Sequence, residues 1–260
     1  MTRITLLAAV LSAACSLNGQ AAEDARPAYV IVAFGDSLTQ AAQVAKGAQW
    51  TNLLQDKLRQ RHSDLEVTVI NAGVDGNTSR EGLARIEKDV LARRPNLVIA
   101  EFGGNDQTPQ PARHVSLDEL AKNIRAMHDR IVRQAGAKMI CWPLTPILNA
   151  KHAYGKDPFY AAAGGPDGYQ IAYRKRLAQV SNELHVPFVD MDAIFRDKFK
   201  EKGADFYILP DGVHHREIGN QLVAESLLPE VEKMIRQWRK EPAIGPRDSR
   251  RGKQPSISPP

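Results

Sequence analysis

Tyr29-Val30-Ile31-Val32-Ala33-Phe34 leads without a break into Gly35-Asp36-Ser37-Leu38-Thr39. The first part is continuous, apolar and rich in β-branched residues, the pattern of a strand buried on both faces of a sheet. Such a strand belongs to a parallel sheet with helices on either side, so this stretch points to an α/β chain. It also sets a serine at the carboxyl edge of the sheet, where open α/β sheets bind their ligands. Gly35 permits a sharp turn there, and a helix starting behind Ser37 would aim backbone N–H groups at developing negative charge. Alone, a Gly-x-Ser turn is usually only a turn. The Gly-x-Ser-x-Gly elbow of the α/β-hydrolases is absent.

Downstream, strands and helices alternate. Trp50–Arg61 reads as an amphipathic helix with Trp50, Leu53, Leu54 and Leu58 on one face. A strand is expected at Leu65–Ile70, then a helix at Arg80–Arg93 capped by Thr78 or Ser79 with Glu81 nearby. A third strand covers Asn96–Phe102, and a helix over Leu117–Gln134 follows Ser116, with Glu119 completing a capping box. Lys138–Pro143 is a fourth strand. After a long loop come a helix near Tyr169–Leu184, a short strand at Val186–Met191 and a last helix from about Ile218 to Lys240. Strands separated by helices require crossover connections, hence a mostly parallel sheet covered on both faces.

The chain has 260 residues, 43% apolar and 25% charged, which suits one soluble α/β domain. Its first residues stand apart. Arg3 precedes the apolar run Ile4–Ala14, and small and polar residues follow to Ala21-Ala22. That is the order of a secretory signal (residues 1–21), too short for a permanent membrane span, with a cut expected before Ala22. The rival reading is lipid anchoring at Cys15, since Leu11-Ser12-Ala13-Ala14-Cys15 approaches a lipobox whose leucine sits one residue too early. Signal removal leaves Cys141 as the one cysteine, in an apolar strand-like run and therefore a buried inert thiol. Residues 22–240 form the expected domain. Residues 241–260, rich in proline and arginine, are expected to be a disordered tail. The net charge of +5 includes Arg3 and a net surplus in the tail, so the domain is near neutral and no nucleic-acid partner is expected.

A second chemical signal is Asp211-Gly212-Val213-His214, after Pro210 and before the last helix. A carboxylate and an imidazole three residues apart on one tight turn allow a bond from Nδ1–H to the acid, leaving Nε2 free to take a proton from a serine. The plainer reading is an Asp-Gly turn with a helix-capping histidine. His215 competes as base but lacks the three-residue spacing. Two further turns, Asn71-Ala72-Gly73-Val74-Asp75-Gly76-Asn77-Thr78 and Gly103-Gly104-Asn105-Asp106, end the second and third strands at the edge that carries Ser37. Acyl transfer needs preset donors for an oxyanion, and a glycine N–H with an asparagine amide would serve. His214, His215, Asp211 and His152 show no zinc spacing, so no metal is expected. The glycines near Gly164 open no phosphate-binding helix, and no cofactor is expected.

Taken together, the four segments resemble, in order and spacing, the four sequence blocks of the SGNH (GDSL) hydrolases, over residues 28–240. The resemblance is nearest to the thioesterase I/lysophospholipase L1 (arylesterase-like) branch, through Val69-Ile70-Asn71-Ala72, Thr78-Ser79-Arg80-Glu81-Gly82-Leu83-Ala84-Arg85 and Glu101-Phe102-Gly103-Gly104-Asn105-Asp106. It implies a flavodoxin-like three-layer α/β/α fold and a serine esterase acting on carboxylic esters or thioesters. By it Ser37 is nucleophile, His214 base and Asp211 its orienter, with Ser37, Gly76 and Asn105 as the oxyanion hole. Gly76 is taken over Gly73 because the family's glycine precedes a polar-Thr pair, here Asn77-Thr78.

Two departures stand out. His215 replaces the proline often found after the histidine, which leaves the mechanism intact. The segment from Leu144 to Gln170 is longer than in the thioesterase branch and carries His152, Tyr154, Phe159, Tyr160 and Gly164-Gly165, either a roof over the site or surface padding. The expected substrates are acyl esters, thioesters or lysophospholipids. The alternatives are O-acetyl groups on a polysaccharide or, from another class, a non-catalytic glycan- or lipid-binding protein. The expected enzyme is exported, periplasmic or secreted, without a transmembrane segment, and monomeric.

Overall fold

The computed structural model describes residues 27–241; the expected signal and the tail beyond Glu241 lie outside them. Four strands, β1 (Ala28–Gly35), β2 (Glu66–Gly73), β3 (Leu97–Glu101) and β4 (Lys138–Trp142), form one sheet in the order β2-β1-β3-β4, all neighbours parallel. The helices are α1 (Ser37–Gln40), α2 (Trp50–Arg61), α3 (Ser79–Asp89), α4 (Leu117–His128), α5 (Pro166–Glu183), α6 (Met191–Lys202) and α7 (Glu217–Trp238). β1 shows how the layers arise. Successive side chains point to opposite faces, so Ile31 and Ala33 pack in a core with Leu54 and Leu58 of α2, Phe195 of α6 and Val231 of α7. Val32 and Phe34 face a second core with Ile86 of α3, Leu120 and Ile124 of α4 and Leu177 of α5. Full burial of each such side chain stabilises the fold by about 1.5–3 kcal/mol. This is the expected three-layer α/β/α architecture.

The strand expected at Val186–Met191 is reduced to a single parallel bridge, Cys141–Phe188, flanked by Cys141 N to Pro187 O and Val189 N to Cys141 O bonds of 2.9 Å each. Pro187 has no N–H to extend a ladder. Asp190, whose carboxylate accepts Ala193 N at 3.1 Å, already caps α6, a helix not expected from the sequence. The helix expected through Gln134 is α-helical only to His128 and continues as a π-helical turn over Asp129–Gln134. At its start Ser116 accepts Glu119 N at 3.2 Å, while the Glu119 carboxylate turns away to Arg80, so the expected capping box is half formed. The helix expected to reach Arg93 ends at Asp89 and passes into a 3₁₀ turn.

The start of α3 is a complete capping box. Thr78 Oγ1 accepts Glu81 N at 3.3 Å and Glu81 Oε2 accepts Thr78 N at 2.7 Å. Thr78→Ala is expected to lower the free energy of urea unfolding by about 1 kcal/mol, with Thr78→Ser retaining most of it; equal stability of the alanine variant would show that the box carries none of the helix start.

Candidate active site

β1 and β3 lie side by side, and the chain leaves their carboxyl ends in opposite directions, β1 toward β2 and β3 toward β4. In this strand order that is the switch point where a ligand crevice opens. Ser37 follows β1 there, and the Gly103–Asn105 turn follows β3. The β1 turn is tight because Gly35 has no side chain: a Cβ would come within 2.2 Å of Thr39 Oγ1 and 2.6 Å of the Glu101 carbonyl. Asp36 then caps α1, its Oδ1 accepting Leu38 N at 2.9 Å, while its Oδ2 accepts Asn105 Nδ2 at 2.9 Å. One buried carboxylate thus ties the serine turn to the asparagine turn.

Asp211, Gly212, Val213 and His214 close on the same point from the other end of the chain. Asp211 Oδ1 accepts the Val213 and His214 N–H groups at 2.9 Å each, and Oδ2 meets His214 Nδ1 at 2.8 Å. His214 Nε2 lies 2.9 Å from Ser37 Oγ. Because an ionised carboxylate only accepts, Nδ1 carries the ring proton and Nε2 is left to accept from the serine hydroxyl. Burial pushes Asp211 up, but the two N–H groups and the imidazole outweigh it and hold its carboxyl below the usual range. Gly212, at φ +78°, supplies the left-handed residue the turn requires, and its carbonyl accepts Leu148 N at 2.8 Å.

Asn105 Nδ2 also donates to Asn77 O at 3.2 Å. Gly76 stands one residue before that carbonyl, and its own carbonyl accepts from Arg113 Nη2. Neither the Ser37 nor the Gly76 N–H donates to a backbone carbonyl among the described residues. Asp106, buried next to Asn105, pins its turn to α3 by accepting Ser79 N at 2.9 Å and the Ser79 hydroxyl. Burial pushes Asp106 up to about 6 against those bonds. Arg85 staples the neighbouring strand ends, donating to Gly35 O and Ala72 O at 2.8 Å and to Asn77 Oδ1 at 2.7 Å.

A cavity of about 160 Å³ opens over Ser37, Asp36 and Asn105. Leu144, Ile147 and Val213 supply its apolar wall, and Gln107, Thr108, Arg113, His152, Tyr154 and Tyr160 its polar one. The segment from Leu144 to Gln170 is therefore a roof over the site. It is held by Arg174, whose guanidinium donates to Leu144 O and Thr145 O at 3.3 Å and pairs with Asp167 at 2.9 Å, while Asp167 accepts Ile147 N at 2.9 Å. Gly76 does not itself line the cavity; Arg113, which does, connects to it. Arg113, Gln107 and Thr108 carry no signal of their own in the sequence: Gln107 and Thr108 only trail the Gly103–Asp106 turn, and Arg113 follows in a loop without a motif. His215 turns inward, stacked on Phe195 with ring centroids 4.8 Å apart and Nε2 at 2.8 Å from Thr145 Oγ1. Cys141 is buried, its thiol pushed up to about 12 by desolvation.

A parallel sheet covered on both faces, with a Ser–His–Asp contact chain at its carboxyl edge, defines an α/β ester hydrolase of the SGNH type. The chain belongs to the GDSL-like lipase/acylhydrolase family, whose model matches residues 33–222. It is similar to the arylesterase of Vibrio mimicus, 27% identical over 232 residues that cover 89% of this chain and 100% of that one. It is also similar to thioesterase 1/protease 1/lysophospholipase L1 of Escherichia coli K12, 35% identical over 107 residues, 38% of this chain and 49% of that protein. Among solved structures, the acetylxylan esterase of Geobacillus stearothermophilus shares the fold with a TM-score of 0.63 at 24% identity, over 78% of this chain and 94% of that one. Among the described residues no helix is long and apolar enough to cross a membrane.

Desolvation lowers His215 to about 3, so the native state keeps it neutral where the unfolded chain, near 6.5, takes up a proton. The resulting stability is present in full above about pH 6.5 and is lost as pH falls toward 3. Urea unfolding of the wild type is expected to weaken more steeply between pH 6.5 and 4 than that of His215→Asn. Parallel pH dependences would show that His215 is not kept neutral.

Proposed function

We propose that Ser37 is the nucleophile of a serine esterase, with His214 as base and Asp211 as its orienter. The observation that carries this reading is the continuous contact from Asp211 Oδ2 through both ring nitrogens to Ser37 Oγ, 2.8 and 2.9 Å. Ser37 Oγ attacks the ester carbonyl while its proton passes to His214 Nε2. The oxyanion is met by the N–H groups of Ser37 and Gly76 and by the Asn105 amide, which exchanges its longer bond to Asn77 O for the new charge. The carbon–oxygen bond breaks, the leaving alcohol takes the proton from Nε2, and water repeats the sequence to free the acid and restore Ser37.

The cavity supports short acyl groups on a hydroxylated alcohol. It is smaller than the roughly 300–1,000 Å³ of sites for larger ligands, and its polar wall includes the Tyr154 phenol, His152 and Arg113. O-Acetyl groups on a carbohydrate fit this site better than the acyl chain of a lysophospholipid. The acetylxylan esterase relative is in keeping with that choice. The N-terminal signal pattern supports export with a mature start at Ala22 and hence a domain over residues 22–240.

Ser37→Ala is expected to abolish turnover of p-nitrophenyl acetate. Asn105→Ala is expected to lower kcat by about 10²–10³ with little change in KM, and His214→Ala by at least as much, whereas His215→Asn retains turnover. An active His214 variant beside a dead His215 variant, both folded by circular dichroism, would redraw the site. Across esters from acetyl to palmitoyl, kcat/KM should fall by about tenfold or more beyond butyryl; a rise with chain length would return the lipid substrates. Mass analysis of the exported protein should place its N-terminus at Ala22, and an acylated Cys15 there would replace export by anchoring.

A further inference from the structure

Asp36 and Glu101 are a pair of acids buried under the serine turn, 1% and 0% exposed. Glu101 ends β3 on the strand beside β1, its Oε2 accepts the Asp36 N–H at 3.2 Å, and the two buried carboxyls lie close enough to act on each other's charge. Two neighbouring carboxylates shut off from water repel each other and lose hydration, which favours one proton held between them. Among the described residues no arginine or lysine forms an ion pair with either acid: Arg85 spends its guanidinium on Gly35 O, Ala72 O, Asn77 and Asp89.

The remaining bonds say which acid carries the proton. Asp36 has one donor on each oxygen, Leu38 N on Oδ1 and Asn105 Nδ2 on Oδ2, both at 2.9 Å, an arrangement that favours the ionised form. Glu101 receives Asp36 N at 3.2 Å and Thr39 Oγ1 at 3.3 Å on the same oxygen, Oε2. Its other oxygen, Oε1, is buried and accepts no hydrogen bond among the described residues. We propose that Glu101 is a positioning residue that holds a proton in the resting enzyme and donates it in a hydrogen bond to the Asp36 carboxylate. This fixes Asp36 as the charged acceptor that aligns Leu38 behind Ser37 and the amide of Asn105. It also limits the pair to one negative charge beside the site where the oxyanion forms, and a second would oppose that charge in a water-poor surrounding. Burial first, then the charge of Asp36, raise Glu101 well above the usual carboxylate range. The other charged groups facing the pair are Arg85 on α3, Asp75 after β2, Asp106 after β3 and His214 before α7. Of these Arg85 and His214 favour an ionised Asp36, and Asp75 opposes it.

The role in catalysis rests on Ser37 and Asn105 acting as proposed above; the location of the proton does not. Infrared difference spectra between wild type and Glu101→Gln read that location directly. At neutral pH the wild type is expected to show the carbonyl stretch of a protonated carboxylic acid, shifted in D₂O and missing from the variant. Absence of that band from the wild type would overturn the proposal even if Ser37→Ala is inactive. In the kinetic arm, Glu101→Leu is expected to lower kcat by about tenfold with KM held within about twofold, and Glu101→Gln, neutral and still a donor, to recover most of that loss. Wild-type kcat should fall at alkaline pH as the pair loses its proton, and that fall should be missing from Glu101→Gln. Equal damage in Glu101→Gln and Glu101→Leu, both folded, would overturn the positioning role, because it would mean the site needs the ionised form. Should Ser37→Ala keep full turnover, the esterase reading fails while the infrared band still reports where the proton sits.

Discussion

Parallel pairing of β1 with β2 on one side and β3 on the other is the constraint on which the site depends. Gly35 lies opposite Gly73, and Phe34 opposite Ala100, so three strands end at nearly the same height. Their following turns bring Ser37, Gly76 and Asn105 to one edge although they are far apart in the chain. The pairing is maintained by two cores, one on each face, so that shifting one strand by a residue would turn Val32 and Phe34 toward the wrong helices. Buried polar groups then refine what the sheet arranges, with Asp36, Asp106 and Arg85 each joining turns from different strands.

Much of this was legible in the sequence, for identifiable reasons. The strands β1, β3 and β4 are largely buried on both faces and so read as apolar runs, whereas the edge strand β2 is only partly covered; α3 and α4 begin with a threonine or serine that caps them. The Asp211–His214 turn was legible because both partners sit on one local segment and need no tertiary information. Ser37 was visible from its place after β1. What brings it to His214, from the far side of the chain, is the packing of α7 against α2 and the sheet. Other features were hidden. The Val186–Met191 run has strand composition, but Pro187 and the cap at Asp190 divide it between one bridge and the first turn of α6. Met191, Ile194, Phe195 and Phe199 in fact have helical spacing, a signal overridden by the apolar start of the segment. Glu101 shows only as a charge at the end of an apolar strand, and its meaning depends on Asp36, its spatial neighbour.

The long roof segment explains how a common scaffold acquires its own cavity. Its base is held by an ion-pair cluster in which the buried Arg174 pairs with Asp167 and Asp192, and the more exposed Arg196 with the same two acids. Removing the buried Arg174 leaves its acids uncompensated, at a cost of up to about 3–5 kcal/mol, whereas the more exposed Arg196 contributes less. Its value here is geometric. It sets Leu144 and Ile147 over Ser37, and Leu148 against the carbonyl of Gly212, so the roof and the histidine turn support each other. The cavity wall is therefore shared among this segment, Gln107, Thr108, Arg113 and Val213, apart from the residues proposed to carry out the chemistry.

The central claim is that Ser37 is the group that becomes acylated. A fluorophosphonate forms a stable bond with an activated serine and reads this directly. One label per chain is expected, carried by the peptide that contains Gly35-Asp36-Ser37 and coincident with loss of esterase activity. A label on any other serine, or full activity with Ser37 labelled, would contradict it.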